Sequence, residues 1–179
     1  TYTHNGNKKK LNFDINNFKK FRDKIEYIVV ETPPQNILKL VEGEPKDKRG
    51  EKLILNGMAR DYFQRENLAK GLKEAIDEDL ILISDLEEIP NLESLNFSDI
   101  KNNIVIFEQK MFYYKLNLFY SDFVWQGTKA TKNKNFLSPQ WLRNIKGKKY
   151  PKWRIDTFFS KKRYSNLLYV KNGGWHFTC

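Results

Sequence analysis

An α/β fold, with a mixed but mainly parallel central sheet flanked by helices, is the class this sequence predicts, and three observations predict it. Leu80 to Ser84 is a short apolar run bounded by acids, suited to a buried parallel strand. Before it, from Leu53 to Ile76, apolar residues recur at helical spacing. After it come three more strand-like runs, Asn103 to Glu108, Lys110 to Tyr120 and Tyr164 to Val170. With 179 residues, 40% hydrophobic and 15% aromatic, the chain can bury one core, so a single domain over 1–179 is expected.

The polar stretch from Thr1 to Asn7 and the basic run Lys8 to Lys10 read as a solvated loop. Phe18 and Phe21, set among Asn and Lys in Asn16 to Arg22, suggest a short helix. Glu26 to Glu31 is rich in β-branched and aromatic residues and reads as a strand ended by Pro33 and Pro34. From there to Gly50 a surface loop is expected, with one helical turn near Ile37 to Val41. Leu55, Met58, Ala59, Tyr62, Phe63, Ala69, Leu72 and Ile76 then give one apolar helical face over about six turns. Arg60, Asp61, Gln64, Arg65 and Lys73 fall mainly off that face, as on a solvated helix surface.

At the carboxyl end of the apolar run, Asp85, Glu87 and Glu88 crowd three carboxylates into four residues. Their repulsion is costly unless water or a bound cation offsets it. Ligands of open α/β sheets bind beyond the carboxyl ends of the strands, so the pattern points to a metal and phosphate site, although acidic loops after strands are also common. Pro90 ends regular structure, and Asn91 to Asn103 should be a short helix and loop. Lys110 to Tyr120 reads as one long strand, aromatic on both faces and covered on both. Rings such as Tyr113, Tyr114 and Trp125 build cores as readily as they stack on sugars or bases. Ser138-Pro139 is a helix start, with Ser as N-cap and Pro at the first helical position, and Gly147 ends that helix. Asn172-Gly173-Gly174, between two apolar runs, is a hairpin signal.

The formal net charge is +10, from 32 Lys and Arg against 22 Asp and Glu, which favours an anionic partner: a sugar nucleotide, a nucleic acid or an acidic membrane surface. Lys146, Lys148, Lys149, Lys152, Lys161, Lys162 and Arg163 make the C-terminal third the most basic region. No helix-turn-helix, zinc-finger spacing or RNP signature accompanies them, which argues against nucleic acid. No apolar run reaches the 18 or so residues of a transmembrane helix, and no signal peptide opens the sequence. The single cysteine, Cys179, leaves no internal disulfide framework, so a reducing, cytoplasmic setting is expected.

Ser84-Asp85-Leu86-Glu87-Glu88-Ile89-Pro90 resembles the Ser-Asp-x-Asp-Glu-Ile-Pro signature of glycosyltransferase family 17, the β-1,4-mannosyl-glycoprotein N-acetylglucosaminyltransferases and their microbial relatives. Glu87 departs from that pattern, standing where the family has Asp. Gly173-Gly174-Trp175-His176-Phe177 resembles the family's Gly-Gly-Trp-His-Phe-Ser. Asp61, Tyr62, Gln64, Arg65, Leu68, Gly71 and Leu72 resemble its Glu-Tyr-x-Gln-Arg-x-x-Leu-x-x-Gly-Leu helix. Further matches lie at Thr3, Gly6, Lys10, Leu11 and Phe13, at Tyr113, Tyr114, Leu116 and Asn117, and at Trp125, Gly127 and Thr128. In the family a strand–helix–strand segment precedes the first block, and the chain runs well past the last, so the resemblance implies a catalytic domain that is partial at both ends.

The resemblance implies a Rossmann-like sandwich of the nucleotide-diphospho-sugar transferase (GT-A) type. It implies inverting transfer of a sugar, N-acetylglucosamine in the family, from a UDP-sugar donor to a glycan acceptor. Asp85, Glu87 and His176 would hold a divalent cation, Mn²⁺ or Mg²⁺, that neutralises the leaving diphosphate. Arg65, Asp85 and Glu87 would bind the donor, and Tyr113, Tyr114, Trp125 and Trp175 the acceptor. Glu88, or failing it Asp156, would take the acceptor proton. The alternatives are a carbohydrate- or nucleotide-binding remnant without turnover, and a basic nucleic-acid-binding domain.

Overall fold

The computed structural model describes residues 7–93, 95–97, 100–101, 104–148, 150–151 and 153–178. Thr3, Gly6, Lys149, Lys152 and Cys179, and part of the 91–103 segment expected to hold a helix, lie outside the described residues. Contacts group the chain into two compact units, Thr1–Glu74 and Ala75–Cys179.

In the first unit, Asp14 caps a 3-10 helix, Ile15–Lys24, by accepting from the Asn16 N–H at 2.9 Å, and the helix kinks at Phe18. Phe13 packs its ring 5.4 Å from Phe18 and 4.6 Å from Tyr27, which fastens the segment. The strand expected over Glu26 to Glu31 does not form. Its β-branched residues favour an extended chain, but among the described residues no second strand pairs with it. The long helix α1, Lys46–Glu66, starts seven residues ahead of Leu53, because its first two turns are charged and carry no apolar signal. A 3-10 turn, Asn67–Leu72, continues it. Buried Asn56 on α1 accepts from the Leu38 N–H at 2.7 Å and donates to the Leu38 carbonyl at 2.9 Å, which pins the preceding loop as a strand partner would.

The second unit is built from four segments that each supply one strand to each of two sheets. These are β1 (Leu80–Ile83) with β2 (Glu88–Pro90), β3 (Ile104–Phe107) with β4 (Gln109–Tyr113), β5 (Phe119–Trp125) with β6 (Lys129–Lys132), and β7 (Leu167–Val170) with β8 (Gly174–Thr178). The first sheet has the order β1-β6-β3-β7 and the second β2-β8-β4-β5. Among the described residues only β3 with β7 and β4 with β8 run parallel. The architecture is therefore mixed α/β, with two mixed four-stranded sheets and few helices in place of one mainly parallel sheet. β1 is an antiparallel edge strand, where a buried parallel one was expected.

Two further expectations are corrected. Lys110 to Tyr120 is not one strand: Tyr114, at φ 58, turns the chain back so that β4 and β5 pair antiparallel. Nor do β7 and β8 form a hairpin. They lie in different sheets, and the Gly173 N–H reaches the Glu108 carbonyl at 2.8 Å while the Glu108 N–H reaches Val170 at 3.0 Å. This parallel pair thus passes from one sheet to the next as a unit, and the crease it makes holds the candidate site.

The core sits under the first sheet. Ile104, Val105, Ile106 and Phe107 are fully buried, and each contributes roughly 1.5–3 kcal/mol on burial. Val105, Phe107, Ala130 and Val170 cluster on one face with Leu80, Leu82 and Leu168. The other face carries Ile81, Ile83 and Ile106 and is covered by the short helix α2, Pro139–Arg143, through buried Leu142. Ser138 caps α2 as expected, accepting from the Trp141 N–H at 3.2 Å, with Pro139 at the first position. Among the described residues no helix is long and apolar enough to cross a membrane.

Gly174 has φ +125, and a Cβ there would lie 2.0 Å from the Ile89 carbonyl oxygen. Gly174→Ala is expected to lower unfolding stability by more than about 2 kcal/mol, since neither backbone can move freely. Gly50, in α1 with open space around its Cα, gives the opposite sign: Gly50→Ala should add about 0.5–1 kcal/mol. Urea midpoints of the two variants check both.

Candidate functional site

Glu88 opens β2 and turns its side chain into the crease, where it is fully buried. Five hydrogen bonds from four residues hold the carboxylate: from the Asp85 N–H (3.1 Å), Trp125 Nε1 (2.7 Å), Thr128 Oγ1 (3.3 Å) and both terminal nitrogens of Arg143 (3.0 and 2.7 Å). Arg143, from the last turn of α2, also donates to Asp85 Oδ2 and to the Gly127 carbonyl, each at 2.5 Å. One guanidinium therefore ties together the acidic turn, the β5–β6 connection and α2. Gly127 must be glycine here, since a Cβ would stand 2.0 Å from Glu88 Oε1.

The polar cluster extends behind this pair. Ser84 and Thr128 share a hydroxyl hydrogen bond of 2.7 Å, and buried Gln109 donates to Thr128 Oγ1 at 3.2 Å. Lys129 buries its ammonium below α2, giving protons to the carbonyls of Arg143 (2.6 Å) and Ile145 (2.7 Å), which the end of a helix leaves without partners. Burial, with the Arg143 charge beside it, pushes the Lys129 pKa down to about 8 against the pull of Glu88. For Glu88, burial pushes the pKa up, but the Arg143 guanidinium, the Trp125 indole and the Asp85 N–H outweigh it and the carboxyl ends below its ordinary value.

His176, on β8, pairs with Glu88 across the sheet on one side and with Met111 on the other. It is 4% exposed, its ring lies 4.4 Å from that of Trp125, and its Nδ1 meets no hydrogen-bond partner among the described residues. Nε2 faces Glu87 Oε1 at 4.0 Å. Tyr113 lies two residues beyond Met111 on the same face of β4.

Within the second unit the structure thus brings Asp85, Glu87, Glu88, Trp125 and His176 together, with Tyr113 on the same sheet face, and places Trp175, Tyr114 and Asp156 elsewhere. Trp175, next to His176 in a strand, points to the opposite face with Ile89. Tyr114 sits in the exposed turn after β4. Asp156 is on the surface helix α3, Asp156–Phe159, engaged by Arg154 at 2.6 Å and Arg163 at 3.3 Å. Arg65 belongs to the other unit, in the last turn of α1. As for an acceptor base, Glu88 has no free lone pair facing solvent, and Asp156 is held by two arginines. Sequence reading missed Arg143, Lys129, Gln109 and the part played by Gly127. Ser138-Pro139 locates the helix that carries Arg143, but nothing local says that its side chain reaches Asp85.

No group of three or more His, Cys, Asp or Glu among the described residues is placed to hold a metal by itself. Mg²⁺ and Mn²⁺ sites that act on phosphates seldom need such a cage, because one or two carboxylates are completed by substrate oxygens and water. Two carboxylates meet that description, since Asp85 and Glu87 have side chains 28% and 47% exposed, although Arg143 holds Asp85 Oδ2; His176 does not join them as a third ligand, because its unused nitrogen is buried Nδ1 while Nε2 is the one that faces Glu87. Against family models, characterised proteins and solved structures, the chain finds no match.

Arg143→Met would leave Glu88 buried without its cation and is expected to cost about 3–5 kcal/mol of stability at neutral pH. The native carboxyl pKa is depressed, so the stability Glu88 contributes is present above its unfolded value of 4.5 and is lost as pH falls through the native value. Glu88→Gln should therefore be less stable than wild type at pH 7 and flatter below pH 4.5; urea midpoints across that range read both effects.

Proposed function

We propose that this chain is a metal-dependent glycosyltransferase of the family-17 kind, moving a sugar, N-acetylglucosamine by resemblance, from a UDP donor to a glycan hydroxyl with inversion. The observation that carries the reading is spatial. The two most specific motif blocks, Ser84 to Pro90 and Gly173 to Phe177, lie far apart in sequence yet form neighbouring strands with Glu88 opposite His176. A further match, Trp125 to Thr128, closes on the same carboxylate, while the block around Arg65 lies in the first unit. Unrelated surface acids have no reason to meet these blocks in one crease.

Charge supports the same reading. Asp85, Glu87 and Glu88 outnumber the cations of Arg143 and Lys129 that share the cluster. A diphosphate approaching such a surface is repelled unless it brings a positive charge. Asp85 and Glu87, completed by donor phosphate oxygens and water, would hold a divalent cation that offsets the charge of the leaving diphosphate. Glu88 and Arg143 fix the turn that presents Asp85 and Glu87, and Trp125 walls the imidazole from water on one side. Tyr113, on the His176 face of the sheet, offers a ring for an acceptor sugar to stack on.

Thermal unfolding with UDP–N-acetylglucosamine, with and without Mn²⁺, tests the donor site. A ligand at 100 times its dissociation constant adds about 2.7 kcal/mol to the native state. The expected result is a raised midpoint that needs Mn²⁺ and is absent in Asp85→Asn. A cooperatively melting wild type that responds to no UDP-sugar sinks the reading, and donor binding without product from any acceptor moves it to a non-catalytic binding domain.

A further inference from the structure

The surface around α3 has features that the sugar-transfer reading leaves unused. Trp153, Ile155, Phe158 and Phe159 are 76%, 71%, 73% and 85% exposed. Ile155, Phe158 and Phe159 stand at i, i+3 and i+4 on a helical turn, so the three project from one side. The turn is fastened from beneath: Thr157 is buried and donates its hydroxyl to the Arg154 carbonyl at 2.7 Å. Its far end is tied down where Trp141 Nε1 donates to the Lys161 carbonyl at 2.5 Å and the Lys146 N–H to Lys162 at 3.0 Å. The apolar tips are therefore presented outward by an anchored backbone.

Cations flank the tips. Asp156 is the only acid between Trp153 and Tyr164, and Arg154 and Arg163 already occupy it. Lys161 and Lys162 are exposed, and their ammonium groups meet no carboxylate among the described residues. Outward Trp, Phe and Ile beside unpaired lysines match the boundary between the acyl chains and headgroups of an anionic bilayer. Rings beside lysines also suit single-stranded nucleic acid, but Ile155 adds nothing to base stacking, whereas a bilayer takes all four apolar side chains.

We infer that the Trp153–Arg163 segment docks this protein onto an anionic lipid surface, burying Trp153, Ile155, Phe158 and Phe159 in the interface with Lys161 and Lys162 at the headgroups. The inference is independent of the sugar-transfer reading. Co-sedimentation of the full chain with phosphatidylcholine vesicles, with and without phosphatidylserine, tests it. Binding should require phosphatidylserine and weaken as salt is raised past about 0.15 M, where screening acts within about 8 Å. Lys161→Gln/Lys162→Gln should weaken it roughly fivefold per lysine. Phe158→Ser/Phe159→Ser should abolish most of it at unchanged net charge. Lys19→Gln/Lys20→Gln, the same charge loss in the other unit, should leave it unchanged. The proposal is overturned if the Lys19/Lys20 variant loses as much binding as the Lys161/Lys162 variant, if the phenylalanine variant binds like wild type with an unaltered melt, or if the chain binds single-stranded oligonucleotide but no vesicle. Should the phenylalanine variant fail to fold, the two lysine variants decide.

Discussion

The buried ion pair between Glu88 and Arg143 is the interaction on which the second unit depends. Removing two charges from water costs several kcal/mol for each ion, and a well-packed apolar pair would often serve stability as well. What the ion pair adds is uniqueness of arrangement. Its hydrogen bonds have fixed directions, and they reach the acidic turn, Trp125, Gly127, Thr128 and α2 at once. A shift of any of these leaves a buried charge uncompensated, so the low dielectric that makes the pair expensive also makes alternatives worse. Gly127 belongs to the same constraint, because the carboxylate occupies the space a side chain would need.

The crease follows from how the strands change sheet. A parallel pair cannot be closed by a tight turn, so β3 with β7 and β4 with β8 need long connections and bring distant segments side by side. Where the pair bends, between Phe107 and Gln109 and between Val170 and Gly174, the ladder is kept by Glu108 and Gly173 exchanging backbone hydrogen bonds with the opposite segment. The two other crossing points, at 84–87 and 126–128, fall alongside, with the Phe177 N–H bonded to the Glu87 carbonyl. The polar side chains of the 84–88 and 125–128 segments therefore meet in one space, joined by Gln109 at the start of β4. The site is a product of strand crossing, not of any one loop.

Much of this was legible where a local rule acts alone. The Ser138-Pro139 start and the fully apolar β3 follow from capping and composition, and each is found, whereas the face read through Leu55, Met58 and Tyr62 stays exposed and α1 ends at Glu66, short of Ile76. Failures came where a partner decides. Glu26 to Glu31 has strand propensity but, among the described residues, no strand to pair with, and the apolar run at Leu80 reads as a central strand because a short buried strand looks alike at an edge and in the middle. Tyr114 adopts a left-handed conformation without the Gly or Asn that normally announces one, so a hairpin read as a single strand. Arg143 was invisible for the same reason: its role is set by residues more than fifty positions away.

The acidic turn itself shows how adjacency in sequence misleads. Asp85, Glu87 and Glu88 look like one cluster of negative charge, yet Glu87 lies in the turn and Glu88 opens β2, and their side chains are used differently. Glu88 enters the crease and is spent on architecture, while Glu87 stays half exposed with its Oε1 facing the buried His176 Nε2 at 4.0 Å. The division also gives the glutamate at 87 a physical meaning. An aspartate there would hold its carboxylate about 1.5 Å closer to the backbone, so the extra methylene is what carries the Glu87 carboxylate from the turn to 4.0 Å from the imidazole on β8.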